Sequence, residues 1–419
     1  MTKRLYYDKP DLLEFDSVVE SVTIPENGAD RKSPSIILRE SAFYPTSGGQ
    51  VHDTGWIAVG NERLRVAEVV EAEDGRVIHY LEGPLSPSTA EPQAFALAGA
   101  TVHGVIDTDR RRDHMQQHSG QHVLSAAFIG LYNMPTVSFH MGEDYCSIDL
   151  ATESLTETQV RGAEKRANEI IFENRPVTIR YVRRDEAEKL GLRKLPPAER
   201  EELRLIEVAD FDLSACGGTH VSATGQIGSI LLRKTEKTRQ GMRVEFVCGT
   251  RAVRAARRDY ATLTEAASLF SSQLGDVPQL IRKTFDESKT LRKQREDALD
   301  ELAAAMAEAT LKASSMESRP VIVRVFPDRD SAFAKLFAQK LTRSGAPVIA
   351  LVASALNPPG LIFAQSPGQT ADMGALLRET LLSVGGRGGG SKDFAQGGVP
   401  AGLNLEQLLQ VAVSKIKVE

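Results

Sequence analysis

Four side chains in this sequence have the types and spacing to hold a metal ion. His118 and His122 stand four residues apart in a stretch of helical character, so both imidazoles project from one face. Cys216 and His220 repeat the four-residue step around Gly217 and Gly218. Two glycines suit a tight turn that brings both side chains inward. Three nitrogens and one sulfur form a donor set suited to zinc. A lone HxxxH is more often a solvated helix face, and a lone CxxxH deserves the same reading. Both pairs in one chain shift the balance towards metal. Four protein ligands describe a closed, structural type of site, whereas catalysis by metal-bound water needs an open position. The spacing therefore leaves open whether zinc activates water or organises a pocket.

The elements that must position these residues are legible in outline, and they make an α+β multidomain chain. Residues 1–100 alternate short apolar runs such as SVVESVTI, SIILRES and GWIAVG with turn residues, and AEDGR reads as a hairpin turn. A small N-terminal β-barrel fits this pattern. Residues 101–252 mix helix and strand, an α+β domain. DTDRRRDHMQQHSGQHVLSAAFIGLY is its ligand-bearing helix, with Asp107 or Thr108 as cap. Residues 253–317 form a helical linker, and the stretch without Gly or Pro after GDVP reads as one long helix. Its irregular apolar spacing suits a helical hairpin as well as a coiled coil. Residues 318–419 alternate strand and helix, a small α/β domain.

Composition sets outer bounds. The chain has 419 residues, 51 Lys and Arg against 56 Asp and Glu, and a formal net charge of -5. That charge does not describe a nucleic-acid coat protein, but a local basic face can still bind RNA. The three cysteines, Cys146, Cys216 and Cys248, argue against a disulfide framework and for a reducing compartment. Cys146 and Cys248 lie in expected strands without a histidine at ligand spacing and read as buried thiols. No apolar run is long enough to cross a membrane, and the expected location is the cytoplasm.

HSGQH and CGGTH, in this order, resemble the HxxxH and CxxxH pairs of the alanyl-tRNA synthetase editing domain. The likeness extends on both sides. AFYPTSGGQVHDTGW (42–56) is similar to the Gly-Gly-Gln segment of the barrel preceding that domain. DTDRRRDHMQQH resembles its helix entry, and MRVEFVCG its Arg-(Ile/Val)-Glu strand. GGRGGGSKDFAQGG resembles the glycine-rich segment of the C-terminal DHH-associated domain. The likeness spans nearly the whole chain. No synthetase catalytic or tRNA-recognition domain precedes the expected barrel, so the resemblance implies a free-standing editing protein of the long form, without aminoacylation activity. It also implies zinc as cofactor, tRNA(Ala) mischarged with Ser or Gly as partner, and a homodimer.

The scissile bond would be an ester between amino acid and terminal ribose, so water needs orientation and the acyl oxygen needs charge stabilisation. Serine exceeds alanine by one hydroxyl, and a pocket that hydrogen-bonds this group selects for it far better than an apolar one. Thr46 is the first candidate for that contact, against the alternative of a plain turn residue, and Gln50 faces the same pocket. Gln121 stands where the synthetase domain often carries threonine. His140, in SFHMG, falls where that domain has glutamine and would orient water, touch the ribose or simply pack. Arg243 would meet phosphate or the terminal adenosine. Arg110, Arg111 and Arg112 cannot all face one way, and one or two would touch the acceptor-stem backbone. GGRGGGSKD fails the Walker test, because Gly390 is followed by Ser391 and Lys392 in the wrong order. The resemblance makes it a surface loop whose Arg387 and Lys392 approach the tRNA elbow. Two other functions fit the same residues: a tRNA-binding module with a purely structural zinc, and a threonyl-type editing hydrolase.

Overall fold

The computed structural model describes residues 1–25, 33–82, 97–190, 192, 201–314 and 321–416. They fall into two compact units, Met1–Glu265 and Ala266–Glu419.

The first unit opens with a closed six-stranded barrel. Its strands are β1 (Glu14–Thr23), β2 (Ser35–Leu38), β3 (Gly55–Val59), β4 (Glu62–Glu71), β5 (Val77–Leu81) and β6 (Thr101–Ile106). Around the barrel the order is β1-β2-β5-β4-β3-β6, and β6 returns to β1. The AEDGR segment is the β4–β5 turn, with Gly75 at positive φ. Alternate residues such as Val66, Val69, Val77 and Ile106 point inward to the barrel core. The barrel therefore runs past residue 100, the limit expected from the sequence. Its last strand is the segment that leads directly into the ligand helix.

That helix is α1 (Thr108–Tyr132), ended by Asn133 in the left-handed region. Asp107 is its N-cap residue, but its side chain does not cap the helix. The carboxylate instead accepts hydrogen bonds from Thr54 and Arg65 of the barrel. After α1 come β7 (Thr136–Met141), β8 (Cys146–Leu150), α2 (Glu157–Phe172), β9 (Val177–Arg183), β10 (Glu202–Val208), β11 (Asp212–Ala215), β12 (Ile230–Thr238), β13 (Gly241–Cys248) and α3 (Gly249–Leu269). Thr156 and Gln159 form a capping box that starts α2. The strands make two antiparallel sheets, β12-β13-β8-β7 and β9-β10-β11. The four-stranded sheet turns Ile148, Val244 and Phe246 towards Val123, Leu124 and Phe128 of α1.

From His114 to Phe128, α1 is buried on every side. Many of those side chains are polar, and buried polar groups must be paired. Gln117 bonds both the backbone N–H and the carbonyl of Cys248, and Gln116 donates to Gln226 O. A polar helix inside a domain is stable only when its neighbours supply such partners, so α1 and its surroundings specify each other.

In the second unit, α4 (Val277–Ala313) precedes β14 (Val321–Phe326), α5 (Ser331–Thr342), β15 (Ile349–Ser354), β16 (Gly360–Gln365), α6 (Met373–Leu382), β17 (Arg387–Gly390), β18 (Phe394–Gly398) and α7 (Leu405–Ser414). The sheet order is β14-β15-β16-β18-β17, with only β14 and β15 parallel. Helices cover both faces, which explains its continuous apolar strands. Ala350 and Val352 face one core, and Leu351 and Ala353 the other. The expected domain boundary at 317/318 lies outside the described residues. The glycine-rich segment is a strand pair rather than a loop. Leu381 of α6 sits so close to it that a Cβ at Gly388 or Gly397 would meet the leucine at 2.8 or 2.5 Å. Arg387 and Lys392 are exposed on this hairpin.

The fit of α1 to the barrel depends on one ion pair. Arg111 and Asp53 are 1% and 0% exposed. The Arg111 Nε sits 3.2 and 3.1 Å from the two carboxylate oxygens, and the guanidinium also donates to Pro10 O and Ala42 O. Every guanidinium nitrogen has a partner inside the protein, and the side chain is buried, so Arg111 is not a contact for RNA. Removing one member of a buried pair strands the other charge. Asp53→Ala should lower the unfolding free energy of this unit by about 3–5 kcal/mol. Denaturant unfolding followed by the fluorescence of Trp56, the single tryptophan, in β3, measures it.

Candidate metal centre

The two ligand pairs converge. The candidate ligand atoms of His118, His122, Cys216 and His220 all lie within 4.8 Å of one another. The Cys216 Sγ is 3.3 Å from the Nε2 of His118 and 3.3 Å from the Nε2 of His220. Bonds of about 2.0–2.3 Å in a tetrahedron separate ligand atoms by about 3.3–3.8 Å, so the spacing and the donor set fit zinc. His118 and His122 come from consecutive turns of α1, and Cys216 directly follows β11.

Each histidine turns its Nδ1 outward to a fixed partner. The Nδ1–H of His118 donates to Gln50 Oε1 at 2.8 Å. That of His122 donates to Asp212 Oδ2 at 3.3 Å, and that of His220 to Ser119 Oγ at 3.2 Å. Each contact turns Nε2 towards the centre, where metal binding requires that nitrogen deprotonated. The partners are themselves held. Gln50 Oε1 accepts from the Thr219 backbone N–H while its Nε2 donates to the Thr219 hydroxyl. Ser214 donates to Asp212, and the Val221 N–H donates to Ser119 Oγ. Arg204 of β10 secures the cysteine loop, donating to the carbonyls of Cys216 at 2.7 Å and Gly218 at 3.1 Å. Gly218 has to lack a side chain, because a Cβ there would lie 2.2 Å from the His118 ring.

Protonation follows from these contacts. Burial would raise the Cys216 thiol, but the neighbouring His118 and His220 outweigh it and hold the pKa well below the usual thiol range. Burial disfavours the His122 imidazolium, yet the bonds and charges of Asp212 and Cys216 raise its pKa to about 9. For His220 burial prevails over the attraction of Cys216, and its pKa drops to about 3. The cluster thus holds its sulfur as thiolate and His220 as neutral imidazole, the forms in which both bind metal.

The remaining candidates separate into three groups. Gln50 is wholly buried and touches the centre through His118. Gln121 is 9% exposed, one turn along α1 from His118, and its Nε2 donates to Ser125. Thr46 is exposed instead, and its hydroxyl is engaged by the backbone N–H and ring of His52. His140 and Arg243 form the third group. Phe139 turns inward and packs 5.5 Å from the His118 ring, so its neighbour His140 points to the other face of the sheet. There the His140 side chain is 61% exposed and stands 3.9 Å from Asp149. Arg243, adjacent to the inward Val244, pairs with the same Asp149 at 2.7 Å. These two residues therefore lie across the sheet from the ligands. Arg110 donates to His52 O, and Arg112 is exposed. The sequence reading missed Asp212, Ser119, Thr219 and Arg204. Ser119 and Thr219 stand inside the ligand motifs, but Asp212 and Arg204 carry no local signal.

Two family models match the chain. That of tRNA synthetases class II (A) covers residues 2–110. That of the threonyl and alanyl tRNA synthetase second additional domain covers residues 203–244, which include Cys216 and His220. The chain is 28% identical to the alanyl-tRNA editing protein AlaX-L of Pyrococcus horikoshii, over 100% of this chain and 99% of that protein. It is 34% identical to the alanine--tRNA ligase of Archaeoglobus fulgidus, over 98% of this chain and 43% of the ligase. The alanine--tRNA ligase of Thermococcus kodakarensis is 31% identical over the same shares. The chain thus spans less than half the length of each ligase.

The Gln50 amide serves two ligand segments at once, and Gln50→Leu removes it while roughly keeping its volume. Metal affinity should fall by about 10–100-fold, the usual effect of losing such a partner. Competition with a chromophoric zinc chelator measures the change. Unchanged affinity would mean that Gln50 does not orient His118.

Proposed function

Because the chain belongs to the alanyl-tRNA editing family, which joins AlaX-L to the matching portion of the alanine--tRNA ligases, we propose that it is a trans-editing hydrolase. Its reaction is the deacylation of Ser-tRNA(Ala), and of Gly-tRNA(Ala), in the cytoplasm and without aminoacylation. The observation that carries the reading is the convergence of His118, His122, Cys216 and His220 in a chain collinear with an editing protein. The full-length correspondence to AlaX-L favours the alanyl over the threonyl branch. A homodimer would use the exposed apolar side chains of α3, among them Val253, Tyr260 and Leu263.

Zinc is the cofactor of this reading, and when bound it supplies positive charge beside the acyl oxygen of the ester. The chain's own residues do the positioning. Gln50, Asp212 and Ser119 fix the three imidazoles, and Arg204 fixes the carbonyls of the cysteine loop. Gln121 is the residue we assign to the substrate's hydroxyl. Its amide nitrogen is spent on Ser125, and Ser125 shares a bond with Thr136. The Gln121 carbonyl oxygen is left to accept from a serine Oγ–H, the one group alanine lacks. Thr46 is too exposed, and too engaged with His52, for this role.

Purified protein loaded with zinc should deacylate Ser-tRNA(Ala) catalytically while Ala-tRNA(Ala) survives. Cys216→Ala should lose metal and activity together. Intact Ser-tRNA(Ala) would overturn the hydrolase and leave a tRNA-binding module with a structural zinc. Faster turnover of mischarged tRNA(Thr) would favour the threonyl branch instead. Gln121→Leu should reduce kcat/KM for Ser-tRNA(Ala) by about 10-fold or more, the scale of one lost hydrogen bond to substrate. Its Gly-tRNA(Ala) rate should move far less. Equal losses on both substrates would remove Gln121 from serine selection.

A further inference from the structure

A groove of about 990 Å³ lies within the first unit, between the first turns of α1 and α3. We infer that it binds the backbone of the single-stranded 3′ end that carries the aminoacyl ester. This rests on the tRNA-editing reading above and adds the path by which the strand reaches the metal centre.

Besides Arg251, four arginines line the groove: Arg110 and Arg112 from α1, and Arg254 and Arg258 one turn apart on α3. The carboxylates in the same groove are Asp109, Asp113, Glu143 and Asp144. Asp113 is held by Arg251, which also donates to Gly142 O and so anchors the β7–β8 turn. Among the described residues, none of the four arginines forms an ion pair, although three other carboxylates share the groove. Arg110 spends its Nε on His52 O, while Arg112, Arg254 and Arg258 make no side-chain hydrogen bond among the described residues. Guanidinium forks match phosphate in bidentate geometry, which suits them to a nucleic-acid backbone.

A second observation comes from His114. It is 3% exposed and lines the groove, and its Nδ1 has no hydrogen-bond partner. Buried polar atoms are nearly always paired, so this nitrogen marks a site that the chain alone does not complete. A ribose 2′-hydroxyl can donate to or accept from this nitrogen, whichever tautomer the ring adopts. His114 precedes His118 by one turn of α1, about 6 Å along the helix axis. Val51, also in the lining, adjoins the Gln50 that holds His118. A strand seated here therefore has its end directed at the candidate metal centre. A second groove, of about 900 Å³, reaches Cys216 itself, but carries five carboxylates, among them Glu71, Glu73 and Asp74, against three cationic side chains. It is the wrong sign for phosphate.

The test measures binding of the full zinc-loaded chain to two acceptor-stem RNA hairpins by fluorescence anisotropy across a salt series. One hairpin keeps the single-stranded 3′ end, and the other is blunt. Arg254 and Arg258 are exposed, so the double variant Arg254→Ala/Arg258→Ala should fold, and its zinc content serves as a check. An Arg161→Ala/Lys165→Ala variant on α2, away from the groove, is the control. The double variant should bind the tailed hairpin at least 10-fold more weakly. Its log–log salt slope should fall by about 1.4, from two contacts at about 0.7 each. Affinity for the blunt hairpin and the behaviour of the control should not change. Wild-type affinity for the tailed hairpin in the double variant, or equal losses on both hairpins, would overturn the groove while deacylation by the wild-type chain keeps the editing reading. A wild-type chain that neither binds nor deacylates would overturn both.

Discussion

The segment at residues 42–56 is clamped along one side of α1, and the candidate site depends on that clamp. Arg111 holds Asp53, Arg110 holds the carbonyl of His52, and His118 holds the amide of Gln50. Arg110 and Arg111 sit on the first turn of the helix and His118 two turns later. They set the position of Gln50 relative to His118 and, through Thr219, relative to the cysteine loop. The ion pair and the amide bridge are fully buried, so a shift of the helix would leave unpaired charge or unpaired polar atoms. The barrel is thus part of the metal centre rather than a neighbour of it.

The same requirement for paired polar groups explains why α1 resembles no ordinary surface or core helix. Its buried face carries glutamines, serines and histidines where a core helix would carry leucines. Each needs a partner from another element, and the partners come from the cysteine loop, β11, β13 and the barrel segment. Such a helix contributes little through apolar burial along this stretch. What it supplies is orientation: two of the three imidazoles, His118 and His122, and the Ser119 that holds the third, His220. Four protein ligands leave little room for a metal-bound water. In the proposed editing reading, selectivity would then rest on side chains around the candidate site, with Gln121 better placed than Thr46.

Much of the fold was legible because its patterns are local. The alternation in residues 1–81, the AEDGR turn and the βαβ start of the second unit follow from local spacing and turn residues, and the long helix before Ser314 from a stretch without Gly or Pro. The glycine-rich segment misled for a physical reason. Glycine runs usually mark flexible chain, but here the missing side chains make room for Leu381 against a strand pair. Asp107 misled similarly, since its carboxylate has barrel partners that a helix-end rule cannot anticipate.

For the site, the sequence by itself determined the candidate ligand types and their pairing, because donor chemistry and four-residue spacing are properties of the chain alone. Only the tertiary structure decided which way each neighbour faces. Period two separates Phe139 from His140 and Val244 from Arg243, but only packing against α1 says which member is inside. Three adjacent arginines must diverge by about 100° each on a helix, and only the buried Asp53 selects Arg111 as the inward one. Thr46 is set aside for the same reason, since its hydroxyl is already engaged by His52. A side chain's role is set by partners that the chain brings from far along the sequence, 58 residues for Arg111 and Asp53 and 68 for His118 and Gln50, and no local pattern records them.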